Sequence, residues 1–437
     1  MIEKMREVKD IARGLIEFLD KSPVNFYAAR TVSERLDAAG YVRIDPKDAW
    51  EIRPGGKYYM VKNDSAVFAV EVPTNVDPAA GFRIISAHSD SPTFRIKPNP
   101  EMVSDGGLVK LNVEVYGGPI FYTWFDRPLS IAGRVILRSD DPLHPRHELV
   151  RFDRPLLTIP HLAIHFNRAV NEGNRLSAQK DMLPVIGIIK EQAEADGLLV
   201  RMVAEAVGCE VSDILDFDLS LYDTTPACLV GMNEEFVSGG RLDDLSMVHA
   251  ALEALLTAEG ECPQMRVMAI FDNEETGSGT KQGAASPVLA NMLRRVVESL
   301  GGGAEDFARS IANSFMVSAD NAHAFHPNYA EKYDPTNHPV PGGGPVIKIN
   351  ARCKYMTDAD SAGVFKAICE KAGVPCQMFV NHSDVPGGST LGNILTAQMD
   401  LRGVDMGNAL WAMHSVRETG SALDQAYTVE AFKTFFE

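Results

Sequence analysis

Residues 265–278 read MRVMAIFDNEETGS. Val267 to Phe271 form a short apolar run, the pattern of a buried strand expected over residues 264–271. It ends in an unusual way for a buried element: Glu274 and Glu275 stand side by side, and Gly277 closes the segment. A solvated turn is the ordinary reading of such a pair. The other reading gives each carboxylate a task, one holding a metal ion and the other moving a proton. The same pattern recurs along the chain. Residues 82–87 (FRIISA) lead straight into His88 and Asp90, residues 314–318 (SFMVS) end near Asp320, and residues 401–404 begin a fourth run with His414 a few positions beyond Trp411. Between these runs lie helical patterns such as 244–258, with Leu245, Val248, Leu252, Leu255 and Leu256 at helical spacing. Strands alternating with helices predict an α/β fold with a mainly parallel sheet, in which functional groups gather at the carboxyl ends of the strands.

Residues 95–234 read differently. They are rich in Pro and Gly, with β-like runs at 109–116 and 130–137 and few long helical patterns before Ile186. We expect a strand-rich domain inserted into an α/β domain formed by residues 1–94 and 235–437. The length of 437 residues suits two or three domains, and 45% hydrophobic with 23% charged residues is ordinary for a globular protein.

A formal net charge of −17 argues against nucleic acid, which calls for a basic face. It would also repel an acidic small substrate, so acidic specificity would need a local cation. No apolar run approaches the ~18–20 residues of a membrane span, and the N-terminus reads as a charged amphipathic helix rather than a signal peptide. These features predict a cytoplasmic protein that engages neither membrane nor nucleic acid. The six cysteines lack CxxC spacing, so reduced thiols are expected rather than a thiolate zinc site or a disulfide framework.

Hydrolytic sites with two metals use about five nitrogen and oxygen ligands around ions ~3.5–4 Å apart, with one carboxylate shared between them. The strand-end set His88, Asp243, Glu275, Asp320 and His414 supplies two imidazoles and three carboxylates, donors that zinc accepts. Each has a plainer reading when taken singly: Asp243 before an apolar helix is an N-cap, and a lone His is structural. Their convergence favours the metal site. Adjacent residues of an extended segment point in opposite directions, so Glu275 would face a metal while Glu274 faces the water to be activated. Asp90, two residues beyond His88, is suited to fix the tautomer of that imidazole.

The motifs SAHSDSP, GGRLDD, FDNEETGS, SADNAHAFHPNY and MHSVRE, in this order, resemble those of the aspartyl aminopeptidase family of dinuclear zinc metallopeptidases, and the resemblance runs over nearly the whole chain. It implies that His88, Asp243, Glu275, Asp320 and His414 bind two divalent ions, most often Zn2+ with Co2+ or Mn2+ as substitutes, that Asp243 bridges them, and that Glu274 is the general base. It implies that the inserted domain dimerises and that dimers build a shell of twelve subunits. It further implies that His165, in PHLAIHFNR, reaches a neighbouring subunit's active site, and that Lys348, in VIKIN, meets the acidic side chain of the substrate's first residue. From sequence alone His165 is a solvent-facing loop residue, and Lys348 an edge-strand lysine that discourages aggregation. His161 and His165 at i, i+4 are a poor zinc helix, since the HExxH glutamate is missing.

The expected activity is release of N-terminal Asp or Glu from peptides with a free amine. An aminopeptidase of other specificity, a dinuclear carboxypeptidase or deacylase, and an idle shell-forming protein stay open as alternatives. A nucleotide site at residues 277–283 is disfavoured, because GSGTKQG does not match a P-loop.

Overall fold

The computed structural model describes residues 2–189 and 192–437 and divides the chain into two compact units. The first comprises the chain up to Asp90, Ala227–Met413 and Glu418–Glu437; the second is Ser91–Pro226 with His414–Arg417.

The first unit is built on a nine-stranded sheet in the order Val42–Arg43, Lys57–Lys62, Ala66–Glu71, Met265–Phe271, Phe82–His88, Phe315–Ala319, Arg402–Gly407, Val346–Lys348 and Gln377–Phe379. Its centre is parallel: Phe82–His88 lies between Met265–Phe271 and Phe315–Ala319, and Phe315–Ala319 pairs in turn with Arg402–Gly407. All seven residues of Met265–Phe271 are buried, which is why the run is apolar but for Arg266 rather than alternating; Arg266 is paired with Glu71 at 3.1 Å. Side chains of period two go to opposite faces. Ile85, Ala87, Met268, Ile270 and Val317 pack with Phe18, Val248, Leu252, Phe365 and Phe432 on one side. Phe82, Ile84, Val267, Ala269 and Met316 pack with Leu289, Met292, Leu293 and Leu395 on the other.

Helices therefore cover both faces. Ile2–Lys21, Leu242–Thr257, Ala359–Ala372 and Ala422–Phe436 supply one layer, and Val288–Ser299 with Leu391–Leu395 contributes to the other. The helix expected at 244–258 is Leu242–Thr257. Lys348 does not lie on an edge strand, because Val346–Lys348 is flanked by Arg402–Gly407 and Gln377–Phe379; its VIK run is buried.

The second unit holds a six-stranded antiparallel sheet in the order Arg146–Arg151, Leu129–Leu137, Ile214–Asp223, Thr93–Ser104, Leu108–Tyr116 and Val185–Ile188. Phe94, Leu111, Trp124, Ile131, Leu199 and Leu219 form its own core. Strand-rich structure here agrees with the Pro- and Gly-rich sequence. Among the described residues the cysteines form no disulfide, and no helix is long and apolar enough to cross a membrane.

Candidate metal centre

The carboxyl ends of three neighbouring parallel strands carry the site in the first unit. Phe82–His88 delivers His88 and then Asp90, Met265–Phe271 leads to Glu274 and Glu275, and Phe315–Ala319 leads to Asp320. Asp243 enters from the start of the helix Leu242–Thr257, where its own backbone is not yet helical (φ −84°, ψ 105°). The Nε2 atom of His88 stands 3.8 Å from Oδ1 of Asp243. Donor atoms of His88, Glu274 and Asp320 lie within 4.8 Å of one another, as do those of His88, Asp243 and Asp244.

The glutamate pair does not sit on an extended segment, as the sequence suggested. Asn273 takes a left-handed conformation (φ 62°) and Glu274–Thr276 forms a 3-10 turn. Asp90 holds this turn in place: its Oδ1 accepts from the Glu274 N–H and its Oδ2 from the Glu275 N–H, both at 3.1 Å. It also faces His88, whose Nδ1 is 3.0 Å from the Asp90 carbonyl oxygen and 3.3 Å from Oδ1. One residue thus meets both the ring of His88, most closely through its backbone carbonyl, and the turn bearing the glutamates, through its carboxylate.

Lys348 is 2% exposed. Its ammonium lies 3.3 Å from Asp320 Oδ1, donates to the carbonyl of Asn321 at 3.2 Å, and stands over the Tyr355 ring. His165 and His414 belong to the second unit. His165 lies on the exposed turn Ile164–Phe166, beside Phe166, which is 81% exposed. His414 takes a left-handed backbone, its Nδ1 lies 3.1 Å from the Gly118 carbonyl oxygen, and its own carbonyl accepts from the Ile120 N–H.

Charge crowding decides what the first-unit cluster can do. Asp90, Asp243, Asp244, Glu274, Glu275 and Asp320 converge on His88 and Lys348. Burial pushes the Glu274 carboxyl up to about 8, His88 opposes the rise, and Asp320, Asp90 and Asp243 add to it. Burial likewise raises Glu275 and Asp244, with Asp243 adding to both and Asp320 to Asp244. For His88, burial works against the imidazolium, but Asp244, Asp90 and Glu274 outweigh it and raise the group well above its usual range. Such a cluster attracts positive charge, and imidazole with carboxylate oxygens and no thiolate is a donor set that fits zinc and related divalent ions.

The structure also brings in residues that the sequence reading passed over. Asp244 and Asn321 are buried and hydrogen-bonded to one another, and Glu418 Oε2 accepts from the Asp243 N–H at 3.0 Å. Each adjoins or falls within a motif already noted (the doublet in GGRLDD, the DN of SADN, the final E of MHSVRE), but a hydrogen bond to a neighbour's backbone leaves no mark in residue spacing.

The model of the family described as aminopeptidase I zinc metalloprotease (M18) matches residues 18–436. A Clostridium acetobutylicum protein described as a probable M18 family aminopeptidase 2 is 48% identical over 433 residues, covering 99% of this chain and 100% of its own. Among solved structures, a chain from a complex of Ape4 and Nbr1 aligns with a TM-score of 0.94 at 37% identity, over 98% of this chain and 86% of that one. The dodecamer of mApe1 from S. cerevisiae aligns with a TM-score of 0.84 at 26% identity, over 98% of this chain and 96% of that one. An α/β unit whose strand ends gather carboxylates around an imidazole, matched over nearly its full length by these relatives, makes the chain a metallo-aminopeptidase belonging to the M18 family of zinc metalloproteases.

Proposed function

We propose that this enzyme removes N-terminal Asp or Glu from peptides at a centre of two divalent metal ions. The observation that carries the reading is the convergence of His88, Asp243, Glu274, Glu275 and Asp320 on one buried, carboxylate-rich point at the strand ends. His88, Asp243, Glu275 and Asp320, with His414 from the segment that closes the second unit, would hold the ions, and Asp243 would be shared between them. Bound there, divalent ions acidify a water and polarise the scissile carbonyl.

Glu274 is the group that moves the proton. Its partly buried carboxylate lies beside the donor atoms of His88 and Asp320, where it can take a proton from the water and pass it to the leaving amine. Asp90 keeps Glu274 in register by gripping its N–H. Lys348 supplies the positive charge that an acidic first side chain needs, through a charge-assisted hydrogen bond in a buried setting. His165, exposed on its turn, would reach a neighbouring subunit and donate to the oxyanion of the tetrahedral intermediate. On this reading the second unit mediates dimerisation, the dimers assemble into a dodecamer like that of S. cerevisiae mApe1, and the enzyme works in the cytoplasm.

The test is hydrolysis of peptides beginning with Asp, Glu, Leu, Lys or acetyl-Asp, using the zinc-loaded enzyme, Glu274→Gln and Lys348→Met. Cleavage of free acidic peptides only, lost in Glu274→Gln, is the expected result. Equal release of Leu and Lys would discard the acidic specificity, and cleavage of acetyl-Asp would discard recognition of the free amine.

A further inference from the structure

The segments that carry His88, Asp243 and Asp320 meet in a hydrogen-bonded knot made by two residues without an assigned task. Asp244 is 0% exposed and Asn321 is 3% exposed. Oδ2 of Asp244 accepts from the backbone N–H of His88 at 3.1 Å, and its Oδ1 accepts from Nδ2 of Asn321 at 3.1 Å. The same amide of Asn321 donates to the Leu242 carbonyl and to Ser246 Oγ, each at 3.0 Å, while its Oδ1 accepts from the Asn408 N–H at 3.3 Å. Asp244 follows Asp243, and Asn321 follows Asp320. The knot therefore joins three different segments at positions beside or within the donor cluster.

We infer that Asp244 and Asn321 are positioning residues that set the spacing of His88, Asp243 and Asp320 by tying their backbones together. The inference rests on the reading that those three residues hold metal. Its physical ground is the cost of a mismatch. Two acceptor oxygens face two donors, and an amide in place of the carboxylate would turn an NH2 group toward either the His88 N–H or the Asn321 amide. A buried donor facing a donor cannot stay in place, so the three backbones separate. Residues of this kind typically change metal affinity 10- to 100-fold.

The experiment loads full-length wild type, Asp244→Asn, Asn321→Ser and His88→Ala with Co2+. It measures Co2+ affinity by chelator competition, the visible absorption of the bound ion, kcat and KM on an acidic peptide, and thermal unfolding of the chelated proteins. Expected for Asp244→Asn and Asn321→Ser is a roughly 10- to 100-fold loss of Co2+ affinity, an altered absorption band, and a fall in kcat with KM little changed. Wild-type affinity and spectrum in a folded Asp244→Asn would overturn the inference while leaving the metal reading intact. Undiminished Co2+ binding by His88→Ala would overturn the metal reading itself. If Asp244→Asn does not fold, Asn321→Ser decides by the same criteria.

Discussion

Gly407 offers a direct test of how closely the sheet controls the site. It ends the strand Arg402–Gly407, parallel to Phe315–Ala319, where Asp320 N–H donates to the Met406 carbonyl at 2.9 Å and Ala322 N–H to the Asn408 carbonyl at 2.8 Å. A Cβ at position 407 would fall 2.0 Å from the Asp320 carbonyl oxygen and 2.6 Å from Asn321 Cα, both backbone atoms that cannot rotate aside. A carbon–oxygen contact settles near ~3.3 Å, so Gly407→Ala has to open the pair by roughly 1.3 Å. Overpacking of this kind costs about 1–3 kcal/mol, and a displacement of about 1 Å at a reacting group lowers turnover about 100-fold. We expect Gly407→Ala to fold with a reduced Tm and to lose about two orders of magnitude in kcat/KM. Gly363→Ala is the control: a Cβ there meets nothing within 4 Å on an exposed helical position, and it should raise stability by about 0.5–1 kcal/mol. A Gly407→Ala enzyme with wild-type Tm and kcat/KM would refute the claim that this contact places Asp320.

Glu253 is held down to about 2 although burial pushes it up, because hydrogen bonds from His249 and Arg35 outweigh that push. Its folded value is depressed, so its contribution is present above its ordinary 4.5 and is lost as pH falls toward about 2; discounted for solvent at a side chain 24% exposed, it is worth about 1–2 kcal/mol. Urea titrations should show Glu253→Gln weaker than wild type by that amount at pH 7, with the gap closing toward pH 3. Phe365, fully buried on Ala359–Ala372, should cost about 3–5 kcal/mol as Phe365→Ala, seen as a lower denaturation midpoint at unchanged slope. Chelation should abolish peptide hydrolysis and zinc should restore it. The raised Glu274 carboxyl binds its proton more tightly folded than unfolded, so the chelated protein should lose stability as pH rises from about 4.5 through about 8; a flat Tm over that range would count against the charge crowding.

The sheet was legible because burial on both faces writes itself into composition. Val267–Phe271 is apolar throughout, and the change from that pattern to Glu274 and Glu275 marked where the strand stopped. The donor types were legible too, since few roles other than cation binding gather so many carboxylates at strand ends. What could not be read was local geometry. A left-handed Asn273 turns the glutamate pair into a 3-10 turn, and asparagine is among the residues that tolerate that conformation without announcing it. Lys348 reads as an edge lysine because its neighbours are short, weakly patterned strands; only the pairing with Gln377–Phe379 places it inside. Asp244, Asn321 and Glu418 act through backbone N–H groups or through each other, and such contacts depend on tertiary approach rather than on spacing.

The proposed acidic specificity has to operate against a protein of net charge −17. At physiological ionic strength the Debye length is about 8 Å, so an acidic peptide meets most of that repulsion only on close approach, and the local balance decides binding. Lys348 enters that balance already engaged, one N–H directed to Asp320 and another to the Asn321 carbonyl. An ammonium carries three donors, so a substrate carboxylate would take the third and share the charge with Asp320. Both consequences for added salt run the same way. Added salt screens the long-range repulsion and should raise kcat/KM for an Asp-initial peptide between ~0.01 and ~0.15 M ionic strength, where the Debye length shortens from about 30 Å to about 8 Å. The buried contact to Lys348 is screened much less, so the preference for Asp over Leu should grow with salt rather than shrink. A preference that instead collapses with salt would mean that an exposed cation makes the selection, and Lys348 would be left as the partner of Asp320 alone.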